Sequence, residues 1–170
     1  MNRLFRATLL LSLGVLACAP HAVPPGQPES TATFEPDSPV IKLERTPCFG
    51  RCPVYRVAIS ASGRVTFVGK NFVAQQGEAS GQTPKERLDS LLGEIERQGF
   101  FEFADRYVAG APACGPYATD APSAITEVTH AGRHKRIEHD YGCSQAPPVL
   151  GELERRIDDV AGTTQWTGKP

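Results

Sequence analysis

Two cysteines four positions apart form the motif in this chain that is most suited to chemistry. Cys48 and Cys52 enclose the tripeptide Phe-Gly-Arg, and a proline follows the second cysteine. Two thiols at this spacing can close a disulfide, exchange electrons with another thiol or bind a soft metal ion. A bridge between them would stabilise the fold by about 2 kcal/mol on the chain-entropy model. The motif therefore predicts either a structural staple or a thiol site.

The other cysteines favour the structural interpretation. The chain has five cysteines, and if Cys18 is set aside, Cys114 and Cys143 remain beside the close pair. Four cysteines allow three pairings. We favour Cys48–Cys52 with Cys114–Cys143, because each bridge would then hold an irregular loop or a strand entrance. The second bridge closes a longer loop and would contribute about 3.7 kcal/mol.

The alternative is redox or copper chemistry. The Cys-x-x-x-Cys-Pro motif resembles the copper site of Sco-type chaperones, in which two thiolates and a distant histidine bind the metal. His130, His134 and His139 could supply the nitrogen ligand, and the candidate ligand set is Cys48, Cys52 and His134. A strand pattern follows Cys52, however, and not the helix N-terminus that lowers a thiol pKa in such sites. The main expectation is therefore that the protein uses no metal and no cofactor.

Hydrolytic chemistry has weaker support. His139 and Asp140 with Ser123 or Ser144 can be written as a triad, but no Gly-x-Ser-x-Gly motif presents a serine. Adjacent residues of a strand point to opposite faces, so the histidine and the aspartate cannot share one hydrogen-bonded line. We therefore expect a protein that is not an enzyme.

The first eighteen residues predict where the protein works. Arg3 and Arg6 precede an apolar run over residues 9–16, which is shorter than the roughly 20 residues that cross a bilayer. Val-Leu-Ala-Cys at residues 15–18 resembles the lipobox of bacterial lipoproteins. The resemblance implies a signal peptide over residues 1–17, acyl chains such as palmitate on Cys18 and an outer-membrane anchor facing the periplasm. Plain secretion is the alternative.

Composition limits the partners and the domain count. Cleavage before Cys18 would remove two of the 18 basic residues and none of the 19 acidic ones, which leaves 16 against 19 and a net charge of −3. This balance argues against a nucleic-acid partner. Residues 18–39 hold six prolines and predict a disordered tether reaching up to about 60 Å. Residues 40–168 predict a single domain.

Hydrophobic periodicity places the motifs on a small set of elements. Alternating runs predict a meander over residues 40–44, 54–60 and 64–68, a continuation at 72–73 and an edge strand over 78–81. A hairpin is predicted over residues 123–130 and 133–139. The four tyrosines, Tyr55, Tyr107, Tyr117 and Tyr141, are expected to be half-buried.

Two helices complete the predicted fold. The first begins with a capping box at Thr83, Pro84 and Glu86, buries a leucine stripe and ends at Gly99. The second begins near residues 147–148 and ends at Gly162, with Asp158 on a solvated face. Strands joined by short turns and helices on one side predict an α+β fold. Its two layers are an antiparallel sheet and a pair of helices packed on one face.

The Thr46–Tyr55 motif and the apolar pattern after it resemble a family of small bacterial lipoproteins and secreted proteins that carries DUF6438, a domain of unknown function. The resemblance extends from about Val40 to Trp166 and includes the Phe100-Phe101 pair and the Asp140-Tyr141 end of the second hairpin. It implies the fold and the location but no activity. We therefore expect a lipid-anchored envelope module that binds a partner, with a redox or copper-handling protein as the alternative.

Overall fold

The computed structural model describes residues 37–168. In chain order the elements are β1 (Pro39–Arg45), β2 (Val54–Ser60), β3 (Arg64–Asn71), β4 (Gly77–Gln82), α1 (Lys85–Arg97), β5 (Arg106–Tyr107), β6 (Ser123–His130), β7 (Arg133–Asp140), α2 (Pro148–Ala161) and α3 (Thr164–Thr167). The predicted α+β class and the order of meander, helix, hairpin and helix are confirmed. The predicted signal peptide, Cys18 and the tether as far as residue 36 lie outside the described residues.

The seven strands form one open sheet in the order β4-β3-β2-β1-β6-β7-β5. β1 joins the meander to the second hairpin, because it pairs with β2 on one side and with β6 on the other. Ala131 and Gly132 turn the second hairpin with φ of 50° and 73°, as a two-residue type I′ turn requires. The two-residue β5 pairs parallel with β7, so the sheet is mixed and not purely antiparallel.

One face of the sheet carries the core. Inward-pointing side chains alternate along the strands and include Ile41, Leu43, Tyr55, Val57, Ile59, Val65, Phe67, Val128 and Ile137. They form a single cluster with the apolar stripes of α1 and α2. The other face carries polar and charged side chains such as Lys42, Glu44 and Arg56. The two helices therefore cover the same face, as predicted.

The first helix confirms its predicted stripe and contradicts its predicted cap. Its buried residues are Leu88, Leu91, Leu92 and Ile95, and Gly99 ends the turn after it with φ 72°. The capping box is wrong, because no side chain caps the helix and Pro84 is the N-cap residue. The N–H of Thr83 donates to the carbonyl of Gly63 at 2.9 Å, which holds Thr83 beside the first hairpin turn. Its buried hydroxyl finds no partner within residues 37–168.

The C-terminal segment closes the core. α2 buries Leu150, Leu153, Ile157 and Val160, and Gly162 ends it with φ 68°. The short α3 then brings Trp166 onto Phe67, with ring centroids 5.0 Å apart. Within residues 37–168, no helix combines the length and the apolar character that crossing a membrane requires.

The two ends of the sheet are built differently. The connections 46–53, 72–76, 108–122 and 141–147 all leave the sheet at one end, which we call the loop end. The tight turns 61–63 and 131–132 lie at the other end, and β1 begins there at Pro39. At about 3.4 Å per residue, β1 separates the two ends by about 24 Å. The chain thus enters the domain at the end opposite its long connections.

Candidate functional site

The Cys48–Cys52 disulfide braces the first connection of the loop end. The Cα atoms of the two cysteines are 5.8 Å apart. The N–H of Phe49 donates to the carbonyl of Asp120 at 3.1 Å, which ties the tip of this loop to the connection 108–122. The loop is therefore held at its base by sulfur and at its tip by the main chain, and it displays the Phe49 side chain with 89% of its surface exposed.

The Cys114–Cys143 disulfide fastens the longest irregular connection to the end of β7. The two Cα atoms are 4.5 Å apart and both cysteines are buried. Main-chain hydrogen bonds reinforce the bridge, including Gln145 N–H to the carbonyl of Cys114 at 3.0 Å. These two disulfides are the pairing that the sequence favours.

Exposed aromatic side chains gather at the loop end. Four large apolar or aromatic side chains in residues 37–168 are exposed, and all four lie there: Phe49, Phe72, Tyr117 and Tyr141. Tyr117 and Tyr141 are 39% and 37% exposed, in agreement with the half-buried prediction, whereas Tyr55 and Tyr107 are more buried than predicted. The guanidinium of Arg51 lies over the ring of Phe72, 5.6 Å from its centroid.

Phe72 has a backbone conformation that aromatic residues rarely adopt. Its φ is 54°, in the left-handed region, which costs a residue with a Cβ roughly 1–2 kcal/mol. This turn ends β3 at Asn71, so the predicted continuation of the sheet through residues 72–73 is wrong. The turn directs the Phe72 ring to the surface, where it is 49% exposed.

A buried ionic network lies beneath these loops. Arg45 donates to Oδ2 of Asp158 through Nε at 3.2 Å and through Nη2 at 2.7 Å. The hydroxyl of Tyr55 donates to Oδ1 of the same carboxylate at 2.6 Å, and Thr163 donates to it at 3.2 Å. The prediction that Asp158 lies on a solvated face is therefore wrong. It joins α2 to the ends of β1 and β2.

Glu154 forms the second centre of the network and is 0% exposed. Nδ1 of His139 lies 3.0 Å from its Oε1, within hydrogen-bond distance. The hydroxyl of Tyr141 donates to Glu154 and accepts from Nη1 of Arg45. Nη1 of Arg45 also lies 3.8 Å from Oε2 of Glu154. One arginine thus balances part of the charge of two carboxylates.

The network shifts the pKa values of its members. Burial raises the pKa of Tyr55, and the charge of Asp158 raises it further. Burial and the charge of Glu154 likewise raise the pKa of Tyr141. Burial alone would lower the pKa of Arg45, but Asp158 and the two tyrosines raise it. The network therefore holds its tyrosines neutral and its arginine charged.

A cavity opens between the network and the disulfide loop. Its volume is about 210 Å³, and it is lined by Arg45, Thr46, Cys52, Pro53, Tyr55, Pro122 and Tyr141. Proline rings, tyrosine rings and a disulfide make most of this wall apolar, and Arg45 adds a cationic group. The carboxylates behind the wall already accept hydrogen bonds from protein groups. The arrangement is therefore suited to holding one apolar side chain or ring.

The candidate metal ligands do not come together. His134 pairs with Thr129 near the turn of the second hairpin, at the end of the sheet opposite Cys48 and Cys52. Six residues of β6 separate Ser123 from that position, a distance of about 20 Å. His139 is buried against Glu154 and lies on the other face of β7 from the exposed His134. Within residues 37–168, no three His, Cys, Asp or Glu side chains form a group that could hold a metal ion.

The uncovered sheet face offers a second, larger depression of about 350 Å³. Its charged side chains pair across the strands, with Lys42 Nζ 2.8 Å from Glu127 and Lys70 Nζ 2.8 Å from Glu44. The hydrogen bond from Lys42 lowers the pKa of Glu127. Both lysines of this face are thus paired with carboxylates, and the face is a suitable reference surface for the loop end.

The hydrophobic periodicity of the sequence contains a signal for the buried ionic network. Glu154 is four residues after Leu150 and three before Ile157, which puts a carboxylate on the apolar stripe of α2. Arg45 likewise continues the inward alternation of Ile41 and Leu43. An ionisable residue at an inward position is a signal of a buried pair.

Comparison with known families covers most of this domain. A family model described as a domain of unknown function, DUF6438, matches residues 39–161, from β1 to the end of α2. The matched region includes the loop end, both disulfides and every residue of the buried network except Thr163. No curated protein matches the chain.

Proposed function

We propose that this chain, which belongs to the DUF6438 family, is a lipid-anchored protein of the bacterial cell envelope whose domain binds another envelope component and catalyses no reaction. The observation that carries the proposal is the use of the cysteines. The four cysteines within residues 37–168 are joined in two disulfides, which leaves Cys18 for the lipid. Disulfides persist in oxidising compartments outside the cytosol.

Binding fits the loop end better than catalysis does. Glu154 and Asp158 are saturated by Arg45, His139 and two tyrosine hydroxyls, so neither carboxylate is presented as a free acid or base. The groups that do reach the surface are aromatic rings and an arginine. Such side chains are enriched at protein interfaces.

Metabolic labelling with palmitate tests the anchor. We expect the wild-type protein to incorporate label and to sediment with membranes, and the Cys18→Ser variant to incorporate none. Cys48→Ser is the matched control, because it removes a cysteine from the domain and leaves the lipobox intact. Label on Cys18→Ser, or no label on the wild-type chain, would contradict the proposal.

Thiol exchange at Cys48–Cys52 is the second candidate. The observation in its favour is exposure, because these two cysteines are partly exposed and Cys114 and Cys143 are buried. Alkylation of free thiols in periplasmic material, followed by mapping of bridges and metal analysis, separates the candidates. A structural role predicts both bridges closed under mild reductant. Free thiols at Cys48 and Cys52, or stoichiometric copper, would instead support the thiol function.

A further inference from the structure

We propose that the loop end binds a segment of a partner protein, which inserts one apolar side chain into the cavity beside Cys52 and packs against Phe49 and Phe72. This inference rests on the proposed function and deepens it, because it assigns the surface and the chemical class of the partner.

The composition of the loop end is that of a protein interface. All the large exposed apolar and aromatic side chains of residues 37–168 lie there, beside the exposed Arg51. Protein interfaces are enriched in aromatic residues and arginine and depleted in lysine and glutamate. Single exposed hydrophobic residues are common on surfaces, but here all four lie at the same end of the sheet.

The backbone at Phe72 indicates that the exposed position of this ring costs conformational free energy. A left-handed conformation at an aromatic residue persists only where the surrounding structure holds it, and such outliers cluster at functional sites. The Phe49 loop is held independently, by the Cys48–Cys52 bridge and by the hydrogen bond to Asp120. The Phe72 turn and the bridged Phe49 loop thus hold two aromatic rings independently at the same end of the sheet. Rigid presentation reduces the entropy lost on binding.

The cavity sets the size of the inserted group. Its volume of about 210 Å³ exceeds the roughly 150 Å³ of an engineered apolar cavity that binds benzene. It therefore accommodates one large apolar side chain, such as leucine or phenylalanine. A few side chains that fill well-packed, desolvated pockets carry most of the binding energy of a protein interface.

A positive charge beside the cavity indicates which residues of the bound segment can lie next to its inserted side chain. Residues 46–55 contain one arginine, Arg51, besides the two cysteines and no acidic residue. Arg51 is exposed beside the Phe72 ring, so a carboxylate of the partner can reach it at the rim. We therefore expect the bound segment to carry an acidic residue near its apolar anchor.

The shape of the loop end argues for a protein segment and against a bilayer as the occupant. Its cavity of about 210 Å³ takes one side chain, and the exposed Arg51 lies beside Phe72, where it can pair with one carboxylate.

Selection from a random linear peptide library on the detergent-solubilised full chain tests the inference. We expect selected peptides to share an apolar anchor with an adjacent acidic residue. Phe49→Ala and Phe72→Ala should weaken their binding by about tenfold or more. Arg51→Ala should weaken it severalfold, and Arg56→Ala, an exposed arginine on the uncovered sheet face, should leave it unchanged.

Photo-crosslinking gives a second measurement that needs no variant to fold. A selected peptide with a benzophenone amino acid at the anchor position should crosslink the wild-type chain at Pro53 or Pro122. Crosslinks on the uncovered sheet face, or equal losses for Arg56→Ala and Arg51→Ala, would overturn the inference. Failure to select any peptide would also overturn it.

The bilayer is tested directly in the anchored protein. The full chain with Phe49→Trp is reconstituted into vesicles of brominated phosphatidylcholine and phosphatidylglycerol, with Ser62→Trp at the opposite end as control. We expect no more quenching for the first variant than for the second. Selective quenching at position 49 would assign the loop end to the membrane and overturn the inference. Neither result affects palmitate labelling at Cys18, so failure here is distinguishable from failure of the proposed anchor.

Discussion

At the residue scale, the buried ionic network is the most demanding feature of this protein. Burying a charge is costly unless it is paired and hydrogen-bonded. Asp158 accepts four hydrogen bonds, from two nitrogens of Arg45, from Tyr55 and from Thr163. A network in which every member is satisfied fixes the position of α2 against the sheet. It thereby also fixes the wall of the cavity.

Because of Tyr55, the network makes the stability of the folded protein depend on pH in the alkaline range. Its pKa is raised in the folded protein by burial and by Asp158, so the folded state binds its proton more tightly than the unfolded state. The resulting stability is fully present below the ordinary tyrosine pKa of about 10 and is lost as pH rises above it. Each such tyrosine contributes a slope of about 1.4 kcal/mol per pH unit in that range.

We therefore expect Tyr55→Phe to flatten the loss of stability above about pH 10. Urea denaturation at a series of pH values measures the free energy of unfolding. The internal control is the neutral to weakly alkaline range, in which wild type and variant should follow parallel curves. Equal slopes above pH 10 would show that Tyr55 does not titrate with a raised pKa.

Periodicity identifies the members of the network but not their partners. The inward positions of Arg45 and Glu154 can be read from alternation and helical spacing. The Arg45–Asp158 pair joins residues 113 apart in the chain, so it depends on how α2 crosses the sheet. The packing of the whole core decides how α2 crosses the sheet, and no local sequence pattern encodes that packing.

At the element scale, strongly periodic segments are well predicted and exceptions have local causes. The hairpins and the stripes of α1 and α2 follow from periods of two and 3.6 residues. The cap at Thr83 fails because a main-chain bond to Gly63 holds that residue in place. β5 is missed because two residues carry no periodic signal. The turn at Phe72 is missed because aromatic residues rarely adopt positive φ.

The left-handed backbone at Phe72 predicts a reversal of the usual order of stability between alanine and glycine variants. In a strand, alanine is normally more stable than glycine by roughly 0.5–1 kcal/mol. At the left-handed φ of Phe72 we expect the reverse, with Phe72→Gly more stable than Phe72→Ala by about 1 kcal/mol. Thermal or urea unfolding measures the difference.

Thr66 provides the matched comparison, because it is exposed within β3. There Thr66→Ala should be more stable than Thr66→Gly. The same order of alanine and glycine at both positions would contradict the left-handed conformation of Phe72.

At the scale of the whole molecule, the two disulfides contribute unequally. On the chain-entropy model a bridge that closes five residues contributes about 2 kcal/mol, and one that closes thirty contributes about 3.7 kcal/mol. We expect the double variant Cys114→Ala and Cys143→Ala to lose more stability than Cys48→Ala and Cys52→Ala. The buried position of Cys114 adds a packing loss in the same direction.

Urea midpoints of the two double variants, compared with the wild-type chain, measure this order. The Cys48 and Cys52 variant is the control for loss of a bridge without loss of core contacts. A larger loss in that variant would mean that the loop end supports the fold more than the core does. It would also count against a division of roles in which the core stabilises the fold and the loop end serves only binding.

The longer bridge also protects the molecule when its chain is cut. Gly115–Asp120 is a continuous exposed run and the obvious place for a protease to attack. The run lies inside the ring that Cys114–Cys143 closes. A nick there leaves two fragments covalently joined, with the second hairpin still linked to the meander. After cleavage at this site, the two fragments would therefore separate only when the bridge is reduced.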